Sequence, residues 1–172
     1  MTEISTPPAQ PADAVGKALF RIALGFVITG GVLMGGLVVM VVVSIAGRAL
    51  FGAPVYGDFE MVAMGTAVSV TLFLPYCHLN RGNVIVDLFL ARAPLKIKTG
   101  CDAAGALLLS GLAAVLAWRS VLGAADLFAY NEVTMILAIP VWWAFPLIVA
   151  ALTLLAVCGM YSAACDVARL FR

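Results

Sequence analysis

Residues 22–46 read IALGFVITGGVLMGGLVVMVVVSIA, a run without a single Asp, Glu, Lys or Arg. A helix rises about 1.5 Å per residue and the hydrocarbon core of a bilayer is about 30 Å thick, so about 20 apolar residues make one crossing. This run meets that length in one piece. It decides the fold, because a backbone in lipid finds no water to pair with and must close its hydrogen bonds within a helix. Three more uncharged stretches follow, at residues 61–77, 103–118 and 133–165. The first two of these reach spanning length if their polar ends rest among headgroups. The last is too long for one straight crossing and too short for two. It is read as a re-entering loop segment followed by one helix that begins near Pro140.

The composition agrees with a lipid environment. The chain has 172 residues, 64% hydrophobic and 11% charged, against about 45–50% and about 25% in soluble domains. A net charge of +1 gives no basic footprint, so nucleic acid is not an expected partner. Ser44-Ile45-Ala46 is a passable small-residue cleavage site behind Lys17 and Arg21. A signal peptide has an apolar region of about 7–15 residues, however, so a retained helix is expected.

The resulting expectation is an all-α integral membrane protein with four transmembrane helices, near residues 20–47, 59–78, 99–119 and 139–165. Residues 1–16, with three prolines, read as a disordered lead-in to a membrane domain at 17–172. Eight of the ten Lys and Arg fall on one side of this arrangement when Arg48 and Arg119 are placed in the two connections of the other side. The positive-inside rule then puts both termini in the cytoplasm. The segment VIVDLFLARA at 84–93 is apolar but for Asp87 and Arg92, too short to span, and stopped by Pro94. It reads as a short interfacial helix. Arg81, Arg92, Lys96 and Lys98 would meet anionic phospholipid there. Trp118, Trp142 and Trp143 fall at segment ends, where indole rings favour the headgroup layer.

Little in the sequence points to chemistry. Cys77, Cys101, Cys158 and Cys165 form no zinc or CxxC spacing and read as small apolar core residues. His78 is the only histidine, so two-histidine haem ligation within the chain is excluded; its place just past the second helix suggests a headgroup or loop contact. All 19 charged residues lie outside the four apolar runs, whereas intramembrane ionisable groups mark ion paths and proton relays. No catalytic, cofactor or metal site is expected, and the chain is not read as an enzyme. Gly31 and Gly35 form a GxxxG in the first helix, and Ala106, Ser110 and Ala114 repeat every four residues in the third. Small residues at such intervals let helices approach closely. A faint repeat also exists: Arg48-Ala-Leu-Phe-Gly52-Ala53 resembles Arg119-Ser-Val-Leu-Gly123-Ala124, with Glu60 and Glu132 placed 12 and 13 residues after the arginines. As a duplication, it requires superposable hairpins.

The run from Arg48 to Phe89, RALFGAPVYGDFEMVAMGTAVSVTLFLPYCHLNRGNVIVDLF, resembles the small membrane subunit of TRAP transporters, the tripartite ATP-independent periplasmic systems (DctQ-like family). The resemblance rests on Arg48 leaving the first helix, Gly57-Asp58-Phe59-Glu60 leading into the second, Arg81-Gly82 before Val86-Asp87, and Pro140-Val141-Trp142-Trp143 near the last helix. Asn83 departs from it, standing where many members carry a histidine. The resemblance implies a scaffold subunit in the bacterial inner membrane that supports a large membrane subunit holding the substrate and sodium sites. A periplasmic substrate-binding protein would deliver organic anions such as dicarboxylates or sugar acids to that pair. Arg48, Asp58 and Glu60 then become partner-contact candidates, with ordinary loop solvation the competing account. Asp87 would cap a helix or pair with Arg81 or Arg92, and Trp142 and Trp143 would anchor at the interface. Two alternatives remain open at this point: the small subunit of a tripartite tricarboxylate transporter, and a membrane anchor of a haem or quinone redox complex.

Overall fold

The protein is described by a computed structural model that covers residues 14–80 and 95–170. Among the described residues, four helices are long and apolar enough to cross a membrane. They are α1 (Ala14–Phe51), α2 (Asp58–Leu79), α3 (Leu95–Ala129) and α4 (Phe145–Leu170), the last entered through a 3₁₀ turn at Val141–Ala144. Of the expected lead-in at 1–16, residues 1–13 lie outside the described residues and Ala14, Val15 and Gly16 are already helical in α1, with Gly16 buried. The expected interfacial helix at 84–93 also lies outside the described residues.

Helix ends follow local backbone chemistry. Gly52 takes φ +66°, and its N–H donates to the Arg48 carbonyl at 3.2 Å. This left-handed cap closes α1, and Pro54 follows where the helix no longer runs. Gly57 takes φ +77° at the head of α2, where a side chain would also strike Leu137. Pro75 sits inside α2 and is fully buried, a proline break that packing by neighbours tolerates in lipid.

The four helices form a row in the order α1, α2, α4, α3. Among the described residues, α3 packs on α4 and the 3₁₀ turn, while α1 packs on α2 and, briefly, α4. The most extensive contact is between α3 and α4. The start of α1 lies beside the end of α2 and the latter half of α4, since Leu19 and Ala23 of α1 join Leu79 and Cys158 in one buried cluster; this is the terminal end of the row. The connections at 52–57 and 130–140 occupy the other end, called the loop end below.

A seven-residue period of small and apolar residues explains the packing. The buried side of α1 runs through Gly16, Ala23, Gly30, Leu37 and Ser44, each seven residues from the next. In α3 it runs through Ala103, Ala106, Ser110, Ala113 and Ala117, alternating steps of three and four. This is the seam that keeps two helices in register over many turns. Lipid tails are as apolar as leucine, so association depends on close approach. A Cβ on Gly30 would lie 2.9 Å from Phe73 Cε1 and 3.2 Å from the Ser69 carbonyl oxygen, and one on Gly159 would lie 2.9 Å from Ser110 Cβ and 3.1 Å from the Ala106 carbonyl oxygen. Ser110 Oγ also donates to the Ala156 carbonyl at 2.8 Å, tying α3 to α4.

Several sequence expectations are corrected here. Gly31 and Gly35 face open space, and Gly30 makes the close approach instead. Ala114 is exposed, so the seam of α3 passes through Ala113 and Ala117. Cys158 is buried, but Cys77 and Cys101 are exposed and Cys165 is only half-buried. His78 is buried at 9% exposure within the last turn of α2 rather than lying in a loop. Arg119 does not belong to a connection, and Trp118 does not stand at a helix end as expected: α3 continues to Ala129 and carries Trp118, Arg119 and Asp126 within it. The resemblance between connections therefore fails structurally. Gly52 ends α1 four residues after Arg48, while Gly123 lies inside α3.

Replacing Gly159 with Leu forces a side chain against the backbone of α3 and should destabilise the detergent-solubilised chain by about 1–3 kcal/mol. Gly31→Leu, which meets open space, should leave the thermal unfolding midpoint nearly unchanged. Equal melting of the two variants would contradict the assigned seam.

Candidate functional site

Two carboxylates in the first turn of α2 organise the loop end. Asp58 Oδ2 accepts a hydrogen bond from Ser44 Oγ of α1 at 2.6 Å, and Ser44 Oγ in turn accepts from the Val55 N–H at 3.3 Å. Arg48 Nη2 stands 3.9 Å from the same Asp58 oxygen, with its side chain 58% exposed. Asp58 Oδ1 accepts from the Phe59 N–H at 2.9 Å. One residue thus joins the end of α1, the first connection and the start of α2. Carboxylates suit that position, since the unpaired N–H groups at a helix start favour negative charge.

Glu60 does the equivalent for the second connection. Its Oε1 accepts from the Ile136 N–H at 2.8 Å and its Oε2 from the Leu137 N–H at 3.0 Å. Consecutive backbone N–H groups make a natural anion seat, and here an internal carboxylate fills it. The loop is closed around this point. Thr134 N–H donates to the Ile139 carbonyl at 2.9 Å, Ile139 N–H donates to Thr134 Oγ1 at 3.1 Å, and Val133 pairs with Pro140 in an isolated bridge. Asn131 and Ala138 take φ +50° and +53° at either side of the tip. Asparagine tolerates that region; alanine there is strained. Leu137 lies against Gly57, so the two connections also touch.

The outer rim is apolar and aromatic. Met135, Tyr56, Phe51 and Tyr130 are strongly exposed, as are Phe59 and Leu50. Beside the loop, Trp142 packs edge-on against Phe128 at 5.5 Å and against Trp143 at 6.2 Å, while Trp143 itself is exposed. The arrangement is a fixed platform. Both carboxylates are engaged internally, which suits shape and contact rather than proton transfer.

The structure therefore brings Arg48, Asp58 and Glu60 together at one end, with Trp142 and Trp143 close in the chain to the loop that Glu60 holds. It does not bring His78 to them, because His78 closes the far end of α2. Arg81 and Asp87 lie outside the described residues. Reading the sequence missed Ser44, a hydroxyl near the end of an apolar run. It also missed Asp166, buried at 4% exposure near the terminal end of α4. His78, Thr99, Asp102, Tyr161 and Asp166 all take part in polar or ring contacts at that end.

Glu60→Ala should leave the Ile136 and Leu137 amides without their acceptor and speed their hydrogen exchange severalfold, with little change in the exchange of α4. Unaltered exchange at both amides would show that the carboxylate does not hold the loop.

A family model described as "Tripartite ATP-independent periplasmic transporters, DctQ component" matches residues 37–169, from mid-α1 through α4. No curated protein and no solved structure matches the chain.

Proposed function

Since the chain belongs to the DctQ family of tripartite ATP-independent periplasmic transporters, we propose that it supports the large permease subunit in sodium-coupled, binding-protein-dependent uptake of organic anions such as dicarboxylates or sugar acids. In this reading it sits in the bacterial inner membrane with both termini in the cytoplasm, and the loop end faces the periplasm. The observation that carries the reading is the family match, which includes both connections and all of α2 and α3. The packed faces across the middle of the row are supporting: among the described residues they are built of Gly, Ala, Ser and Cys with larger apolar residues such as Leu72, Phe73 and Pro75. A carrier needs polar or charged groups along a path; a support needs only fitted surfaces.

The platform has a place in the same scheme. Arg48 and the rim side chains Tyr56, Phe59 and Met135 are the candidates for meeting the binding protein, and Asp58 and Glu60 present them by holding the two connections. Anionic phospholipid would meet the cations of the opposite end.

Proteoliposomes test both parts. Uptake of an organic acid should require this chain, the large subunit, the binding protein and an inward sodium gradient together. Uptake by this chain alone would overturn the supporting role. Glu60→Lys should lower uptake while the two membrane subunits still co-purify, and unchanged uptake would remove the loop end from the mechanism.

A further inference from the structure

The outward face of α3 carries Leu108, Leu112, Val115 and Leu122, all exposed, and Arg119 stands exposed in the same file. On the opposite side, Ala106, Ser110, Ala113 and Ala117 are buried. Two contacts fix the depth of Arg119. Toward the loop end, a Cβ on Gly123 would lie 3.8 Å from Phe145 Cε1; toward the terminal end, Ser110 bonds the Ala156 carbonyl. Arg119 lies between them, about 6 Å along the axis from Gly123. It therefore stands level with the uncharged part of α4 between Phe145 and Ala156, inside the apolar layer.

An arginine at that depth is costly and normally faces a bundle interior, a cavity or a partner. This one faces away from its own bundle. Its route to water is also poor. The Cα–Cβ bonds of a helix tilt toward the N-terminus, so the Cα–Cβ bond of Arg119 starts the side chain toward the terminal end of the row. That direction leads across the rest of the apolar layer and away from the nearer headgroups. Asp126 lies on the same file but seven residues on, about 10 Å along the axis. Among the described residues Arg119 has no ion pair.

We propose that Arg119 marks the edge of the row at which a transmembrane helix of the large permease subunit packs, presenting a carboxylate to the guanidinium at the same depth. The inference rests on the small-subunit reading above. An arginine fork matches a carboxylate with two parallel hydrogen bonds, and the pair strengthens where water is excluded. A second copy of this chain is the poorer fit. Two parallel copies joined symmetrically along α3 would place Arg119 against Arg119, with each Asp126 about two turns away. A lipid phosphate is disfavoured by the depth and by the direction in which the side chain starts.

The test uses the tagged chain co-expressed with the large subunit and purified in detergent. Arg119→Leu should cut recovery of the large subunit roughly tenfold or more, as removal of one partner of a buried charge pair does. The variant alone should keep its helical circular dichroism and elution volume, because an exposed side chain contributes nothing to the row. Arg119→Lys should recover an intermediate amount. Undiminished recovery with Arg119→Leu would overturn the proposal while leaving the small-subunit reading intact. A large subunit that fails to co-purify even with the unaltered chain would overturn both. Self-association of the unaltered chain that Arg119→Leu abolishes, with large-subunit recovery unchanged, would reassign the edge to a second copy.

Discussion

Lipid removes the force that folds soluble proteins. Once the helices are inserted, pressing two apolar surfaces together gains almost nothing over leaving each against acyl chains. What remains is dispersion at short range and the few hydrogen bonds that helices can exchange, and both demand that backbones come close. The small residues at Gly30, Ala106, Ser110 and Gly159 supply that closeness. α1 and α3, at the two flanks of the row, do not meet among the described residues. The row is the pattern of those approaches, and the loop end is braced only because α2 and α4 are already fixed beside each other.

The carboxylates at the loop end act on a different footing. They sit where polar groups have water as an alternative, so each contributes modestly to stability. Their effect is geometric. Asp58 and Glu60 lie two residues apart on one helical turn, and each gathers a different connection. A strained Ala138 and a left-handed Asn131 persist in a loop held this way, which is the usual relation between local strain and a surrounding structure that over-determines it.

The sequence made the number and apolar character of the helices legible because lipid enforces length. It made the close approaches less legible. GxxxG at Gly31 drew attention by its familiar spacing, yet the operative pattern was a seven-residue one from Gly16 to Ser44, joined near its start by Leu19. The extent of α3 was hidden for a related reason. Arg119 ends an uncharged run, and a charge is an ordinary sign of a boundary, but the backbone stays helical to Ala129. Glu60 was recognisable as a residue of interest. Its partners were not, because they are backbone amides 76 and 77 residues away, and backbone amides carry no residue signature.

A row of helices in a bilayer has two ends, much as an open sheet has two edge strands. If both ends were alike, copies would add side by side and the membrane would fill with ribbons. These ends differ. Between Arg21 and Arg48 the α1 flank is uncharged, with Gly25, Gly31, Gly35 and Gly36 open along it, whereas the α3 flank is lined with leucines and carries Arg119 among them. A neighbour shaped for one does not fit the other. Unequal flanks give the row a direction within the plane of the membrane.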